Sequence, residues 1–176
     1  MKYTEEELEE YRKKLRVLED QDEICRKFEE GMNELSSIKD EVLKKDPVEY
    51  IWEWEQVAPY GGEPALFRRI SNICEYLVDT KNGQKFCKLY EWIKSVREEK
   101  DLSWSTILGA LLIDKGEEFK KLVHDALYEV RSAIYSMECS DVHREYRLVR
   151  RMVDTLDEVL YKRASEKMEE LGKILE

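Results

Sequence analysis

Residues 4–45 read TEEELEEYRKKLRVLEDQDEICRKFEEGMNELSSIKDEVLKK, with apolar side chains at Leu8, Tyr11, Leu15, Leu18, Cys25, Phe28, Met32, Leu35, Ile38 and Val42. Steps of three or four residues are the spacing of an α-helix with one buried stripe. Asp22 is the only charge on that stripe. Thr4 and Glu7 form a capping box at the start. Glu9–Lys13, Glu10–Lys14, Asp22–Arg26, Glu23–Lys27 and Glu41–Lys45 set acid before base at i,i+4, the favourable order. Asp46-Pro47 stops this helix and opens the next, with Pro47 at its first position. Unbroken, such a helix would run about 63 Å, against roughly 40 Å across a compact chain of this size. It therefore protrudes, or it kinks near Asp20-Gln21-Asp22.

The last segment mirrors the first. Ser140 or Asp141 caps it, and Val142, Tyr146, Val149, Val153, Leu156 and Leu160 alternate steps of four and three. The stripe continues through Ala164, Met168, Leu171 and Leu175, the 3.5-residue period of a coiled-coil seam. Between the two lie shorter helical patterns: one around Val48, Ile51, Trp52 and Val57, and one from Leu66 to Leu77 stopped by Lys81-Asn82-Gly83. Others run from Phe86 to Val96, from Ser103 to Leu111, and from Phe119 to Ile134. No stretch alternates with period two for long enough to make a strand. The expected fold is all-α: long terminal helices (1–45 and 141–176) pair as an antiparallel, coiled-coil-like hairpin. They enclose an inserted helical domain (46–140), or all of it forms one domain.

Composition narrows the classes. Seven Gly and three Pro in 176 residues exclude a loop-rich sandwich, a collagen-like chain and a low-complexity protein. Apolar runs such as Leu111-Leu112-Ile113 are far below the roughly 18 residues of a membrane span. The start, MKYTEEELEE, lacks the apolar core of a secretory signal. The chain therefore reads as cytoplasmic, with no membrane partner. With 29 Glu and 18 Lys against three Asn and three Gln, it also has the bias of hyperthermophile proteins. Cys25, Cys74, Cys87 and Cys139 have no metal-clip spacing. They read first as small buried hydrophobes, with disulfides as the rival.

Catalytic patterns find little support, and neither catalytic nor metal-ligating residues nor a cofactor are assigned. Only two histidines exist, His124 and His143. The His124-Asp125 dipeptide lacks the upstream His that metal-dependent phosphohydrolases of the H…HD…D pattern need. Neither His has an Arg four to six residues before it, as HEPN-type RNases require. Both read as solvated or helix-packing side chains. Carboxylates at i,i+3, such as Glu6/Glu9, Glu19/Asp22 and Glu138/Asp141, would suit Mg2+ in a helical nucleotide hydrolase. In so acidic a chain they arise by coincidence. There is no G-x-S-x-G elbow and no phosphate loop. Residues 92–128 could form a helix-turn-helix, but the would-be recognition helix carries Glu117, Glu118 and Asp125 against Lys120 and Lys121, a poor match to DNA.

Two features remain. Residues 141–153 hold Arg144, Arg147, Arg150 and Arg151 against two acids, in a chain of net charge -10. That patch could hold an anion, an acidic partner or nucleic-acid phosphate. Trp52 and Trp54 stand two apart on one helix, near Tyr60 and a Gly-Gly loop, and cannot both bury in one neighbour. They are candidates for a partner interface. The leading expectation is a non-enzymatic interaction or assembly protein that binds a protein partner or itself. The alternatives are a subunit of a nucleic-acid-associated complex using the Arg patch, and a carboxylate-metal nucleotide hydrolase.

Overall fold

A computed structural model describes residues 3–58, 62–161 and 165–176. Among these residues the chain is all-α, with no strand. The α-helices are α1 (Glu5–Ser37), α2 (Pro47–Val57), α3 (Ala65–Tyr76), α4 (Lys81–Glu98), α5 (Trp104–Gly109), α6 (Gly116–Ser136), α7 (Cys139–Tyr161) and α8 (Ser165–Leu175). Two π-helical turns, Ile38–Val42 and Ala110–Asp114, extend α1 and α5.

Local chemistry accounts for the starts of α1, α2, α4 and α5. Thr4 and Glu7 bond reciprocally at 3.3 Å each, closing the capping box of α1. Asp46 accepts from the Glu49 amide and Pro47 occupies the first turn of α2. Ser103 accepts from the Thr106 amide and starts α5. Two sequence expectations are corrected, and one left open is settled. Lys81-Asn82-Gly83 does not stop a helix but begins α4, because Thr80 caps it, its Oγ1 accepting from the Gly83 amide at 2.9 Å. α7 begins at Cys139, ahead of the expected Ser140 or Asp141 cap, directly after Glu138 with its left-handed φ of 51°. α1 runs through Asp20–Asp22 without a break.

The chain divides into two compact units, Met1–Cys25 with Met137–Glu176 and Arg26–Ser136. The division falls inside α1, whereas the sequence reading placed it at 45/46 and 140/141. In the first unit, the stretch of α1 up to Cys25 packs on α7 through Leu8, Leu18, Val149 and Val153, flanked by Tyr11, Leu15, Tyr146, Leu156 and Leu160. Arg12 meets Asp157, Lys14 meets Glu145 and Asp22 meets His143. Numbers rise on α1 as they fall on α7, so these stretches lie antiparallel.

The second unit carries the larger core. Leu35, Ile38, Phe67, Ile70, Phe86, Ile93, Ile107 and Leu108 are fully buried or nearly so, with Phe119, Val123 and Val130 from α6. α3 and α4 form a hairpin around Leu77, and two glycines explain how closely it packs. A Cβ on Gly83 would stand 1.7 Å from the Leu77 carbonyl oxygen, and one on Gly31 would stand 2.6 Å from the Leu77 side chain. Only glycine lets these helices approach so near.

Candidate interaction surfaces

The cysteine expectation is overturned first. The leading reading was four buried thiols, but the structure pairs them all. Cys25 of α1 joins Cys139 of α7 with Cα atoms 5.6 Å apart. Cys74 of α3 joins Cys87 of α4 at 4.7 Å. Both separations suit the bond. Nothing in the spacing foretold the partners, because they meet only once helices pack.

One turn before Cys25 on α1, Asp22 is buried in the first unit. The Nδ1 N–H of His143 donates to its Oδ1. A charge on an apolar stripe was the sequence signal for such a pair, and burial without a partner would cost it dearly. Among the described residues, no group of three or more His, Cys, Asp or Glu side chains gathers as a metal site.

α7 presents a second face. Arg144, Arg147, Arg150 and Arg151 are all exposed. Arg144 pairs with Asp141 at 2.5 Å. Among the described residues Arg147, Arg150 and Arg151 have no ion pair. Beside these arginines Leu148 is 59% exposed. With Met152, Thr155, Leu156 and Tyr3 it lines an open groove of about 320 Å³, rimmed by Arg151. Leu148, Met152 and Thr155 follow steps of four and three, a stripe that the stronger Val142–Leu160 stripe obscured in the sequence.

α8 exposes its apolar side as well. Met168, Leu171, Ile174 and Leu175 stand in solvent, as does every other side chain from 167 to 176. The stretch expected to continue the seam is uncovered at Met168, Leu171 and Leu175 among the described residues, and Ala164 lies outside them.

The second unit has two faces of its own. On α2, Trp54 packs partly against the core while Trp52 is 60% exposed, as their opposed directions require. Val48, one turn earlier, is exposed beside Trp52. Tyr60 lies outside the described residues. On α6, Tyr128 and Tyr135 are 72% and 86% exposed and line a groove of about 460 Å³ with His124, Arg131 and Lys39. Their seven-residue spacing, off the core stripe, is legible in the sequence. Tyr50, half-buried on α2, has its hydroxyl pKa raised above the ordinary 10.0. Burial is the main cause, and Glu41 adds to it while Arg69 opposes it.

No helix among the described residues is long and apolar enough to cross a membrane. Comparison with family models, with curated proteins and with solved structures finds no match to this chain.

Proposed function

We propose that the chain is a non-enzymatic helical interaction or assembly protein working through protein–protein contacts. The observation that carries this reading is the exposure of large apolar and aromatic side chains in rows along single helix faces. Val48 and Trp52 on α2, Tyr128 and Tyr135 on α6, and the apolar side of α8 are all left in water. Scattered apolar residues on a surface need no explanation, but aligned ones rimmed by charge mark contact sites. Trp, Tyr and Arg are the residues that most often dominate binding energy at such sites. A cytoplasmic location belongs to the same proposal. Two disulfides suit the disulfide-rich cytosol of hyperthermophiles, toward which the Lys- and Glu-rich composition also leans.

The test is capture from a native extract followed by mass spectrometry, beside light scattering of the purified chain. Trp52→Ala and Tyr128→Ala/Tyr135→Ala should each weaken capture of any partner held by that face while leaving the helical signal intact. A chain that stays monomeric at every concentration and co-purifies with no protein would remove the proposal.

A second reading keeps the arginines as a nucleic-acid contact in a larger complex, on the ground that Arg147, Arg150 and Arg151 are exposed and have no ion pair among the described residues. Arg147→Glu/Arg151→Glu should then abolish RNA or DNA binding, and log Kd should vary with log salt. Binding unchanged by charge reversal would eliminate that reading.

A further inference from the structure

We infer that the groove on α6 binds a nucleoside phosphate, its base stacked on Tyr128 or Tyr135 and its phosphate held between Arg131 and Lys39. This goes beyond the association reading, which also stands on the exposed faces of α2 and α8.

The row begins in the sequence. His124, Tyr128, Arg131 and Tyr135 follow steps of four, three and four, so they share one face of α6. Burial of Phe119, Val123 and Val130 in the core turns that face outward. Lys39 reaches the same groove from the π-helical turn Ile38–Val42. Both elements belong to the second unit.

Charge selects an anion. Lys39 and Arg131 line the groove, and no acid does among the described residues. In a chain of net charge -10 that lining stands apart from the rest of the surface. The acids nearest in sequence are engaged elsewhere. Asp40 pairs with Lys44, Glu41 with Arg69, and Glu129 accepts from the Asn82 amide. Neither Lys39 nor Arg131 has an ion pair among the described residues. Two cations on one groove repel, and a phosphate between them replaces that repulsion with charge-assisted hydrogen bonds. Ser132 and the tyrosine hydroxyls supply further donors there.

The rings select a planar group beside that anion. Tyr128 and Tyr135 are exposed, and their positions lie about 10 Å apart along the helix with Arg131 between them. Exposed rings interleaved with cations take bases by stacking and phosphates by charge. An acidic peptide would satisfy the cations and leave the rings unused. The groove's volume, about 460 Å³, falls within the roughly 300–1,000 Å³ of small-ligand sites. Glu117 and Glu118 precede the row and Glu138 follows it, so the attraction covers a few nucleotides rather than a long backbone.

The experiment is calorimetric titration of the full chain with adenosine monophosphate at two temperatures. Adenosine, inorganic phosphate, a single-stranded deoxyadenosine hexamer and a hexaglutamate peptide are titrated beside it. The monophosphate should bind at least about tenfold more tightly than adenosine or inorganic phosphate. Lys39→Gln/Arg131→Gln should remove its advantage over adenosine. Tyr128→Ala/Tyr135→Ala should weaken it at least about fivefold, and Tyr128→Phe/Tyr135→Phe should recover most of that loss. Arg147→Glu/Arg151→Glu should change nothing, which separates this groove from α7. All the altered side chains are exposed, and circular dichroism checks that each variant folds.

The hexamer distinguishes the two sources of the ligand. A hexamer tighter than the monophosphate, with log Kd rising by about 1.4 per decade of salt for two phosphates, identifies a strand. A hexamer no tighter identifies a free nucleotide. No heat from either ligand overturns the inference. So does inorganic phosphate or the peptide binding as tightly as the monophosphate, or either the glutamine or the alanine variant binding like wild type. Any of these leaves capture of a protein through Trp52 standing, and a chain that captures nothing leaves the titration standing.

Discussion

Asp22 pairs with His143 across α1 and α7, and its side chain is only 6% exposed. Removing one side of a hydrogen bond to a buried carboxylate costs more than the bond itself returns. Asp22→Ala should therefore destabilise the first unit by about 1–3 kcal/mol. Asp22→Ala/His143→Ala should cost clearly less than the two single changes together, as read from urea unfolding midpoints. Additive costs would show that the two side chains act independently. Tyr50 gives a pH-dependent counterpart. Its pKa is raised on folding, so its contribution is complete below 10.0 and is lost as pH climbs through the higher folded value. The stability gap between wild type and Tyr50→Phe should be flat up to about pH 9.5 and shift in favour of Phe by about pH 11. A gap that does not change across that window would contradict the assignment. At this scale the sequence was readable where chemistry is local. Thr4, Asp46 and Ser103 announce their caps because donor and acceptor lie three residues apart. Asp22 was flagged by its place on an apolar stripe, but its partner, 121 residues away, was not.

The α3–α4 hairpin shows where reading by element fails. Lys81-Asn82-Gly83 has the composition of a turn, yet Gly83 is needed as a helical residue because the Leu77 carbonyl lies against it. That requirement is tertiary and leaves no periodic trace. Gly83→Ala should cost about 3 kcal/mol, since rigid backbone must move. Gly31→Ala should cost less, because the atoms in the way belong to a Leu77 side chain that can turn. Thermal unfolding of the two variants checks the order, and a reversed order would mean that the hairpin relaxes easily. Thr80→Ala removes the cap from α4 and should lower stability by about 1 kcal/mol. The π turns after α1 and α5 were equally hidden. Each is a one-residue change of hydrogen-bond register, such as Leu43 N–H to the Ile38 carbonyl, that leaves the apolar pattern nearly unaltered.

For the whole molecule, the all-α class was plain from periodicity and from the scarcity of Gly and Pro. The exposed groove on α7 was not, because a weaker stripe lies beside a stronger one. The cysteine pairs set the largest stability term that can be switched experimentally. In the chain-entropy account, closing 114 residues is worth about 4.7 kcal/mol and closing 13 about 3 kcal/mol. Reduction should therefore lower the midpoint of thermal unfolding. Cys25→Ser/Cys139→Ser should lower it more than Cys74→Ser/Cys87→Ser. Equal midpoints with and without reductant would argue against both bonds. The Cys25–Cys139 bond has a further consequence. It closes a covalent ring around residues 26–138, so a single protease cut anywhere in that span makes a new pair of ends without releasing a fragment. The nicked chain would run as one band on a non-reducing gel and part into two only after the thiols are freed.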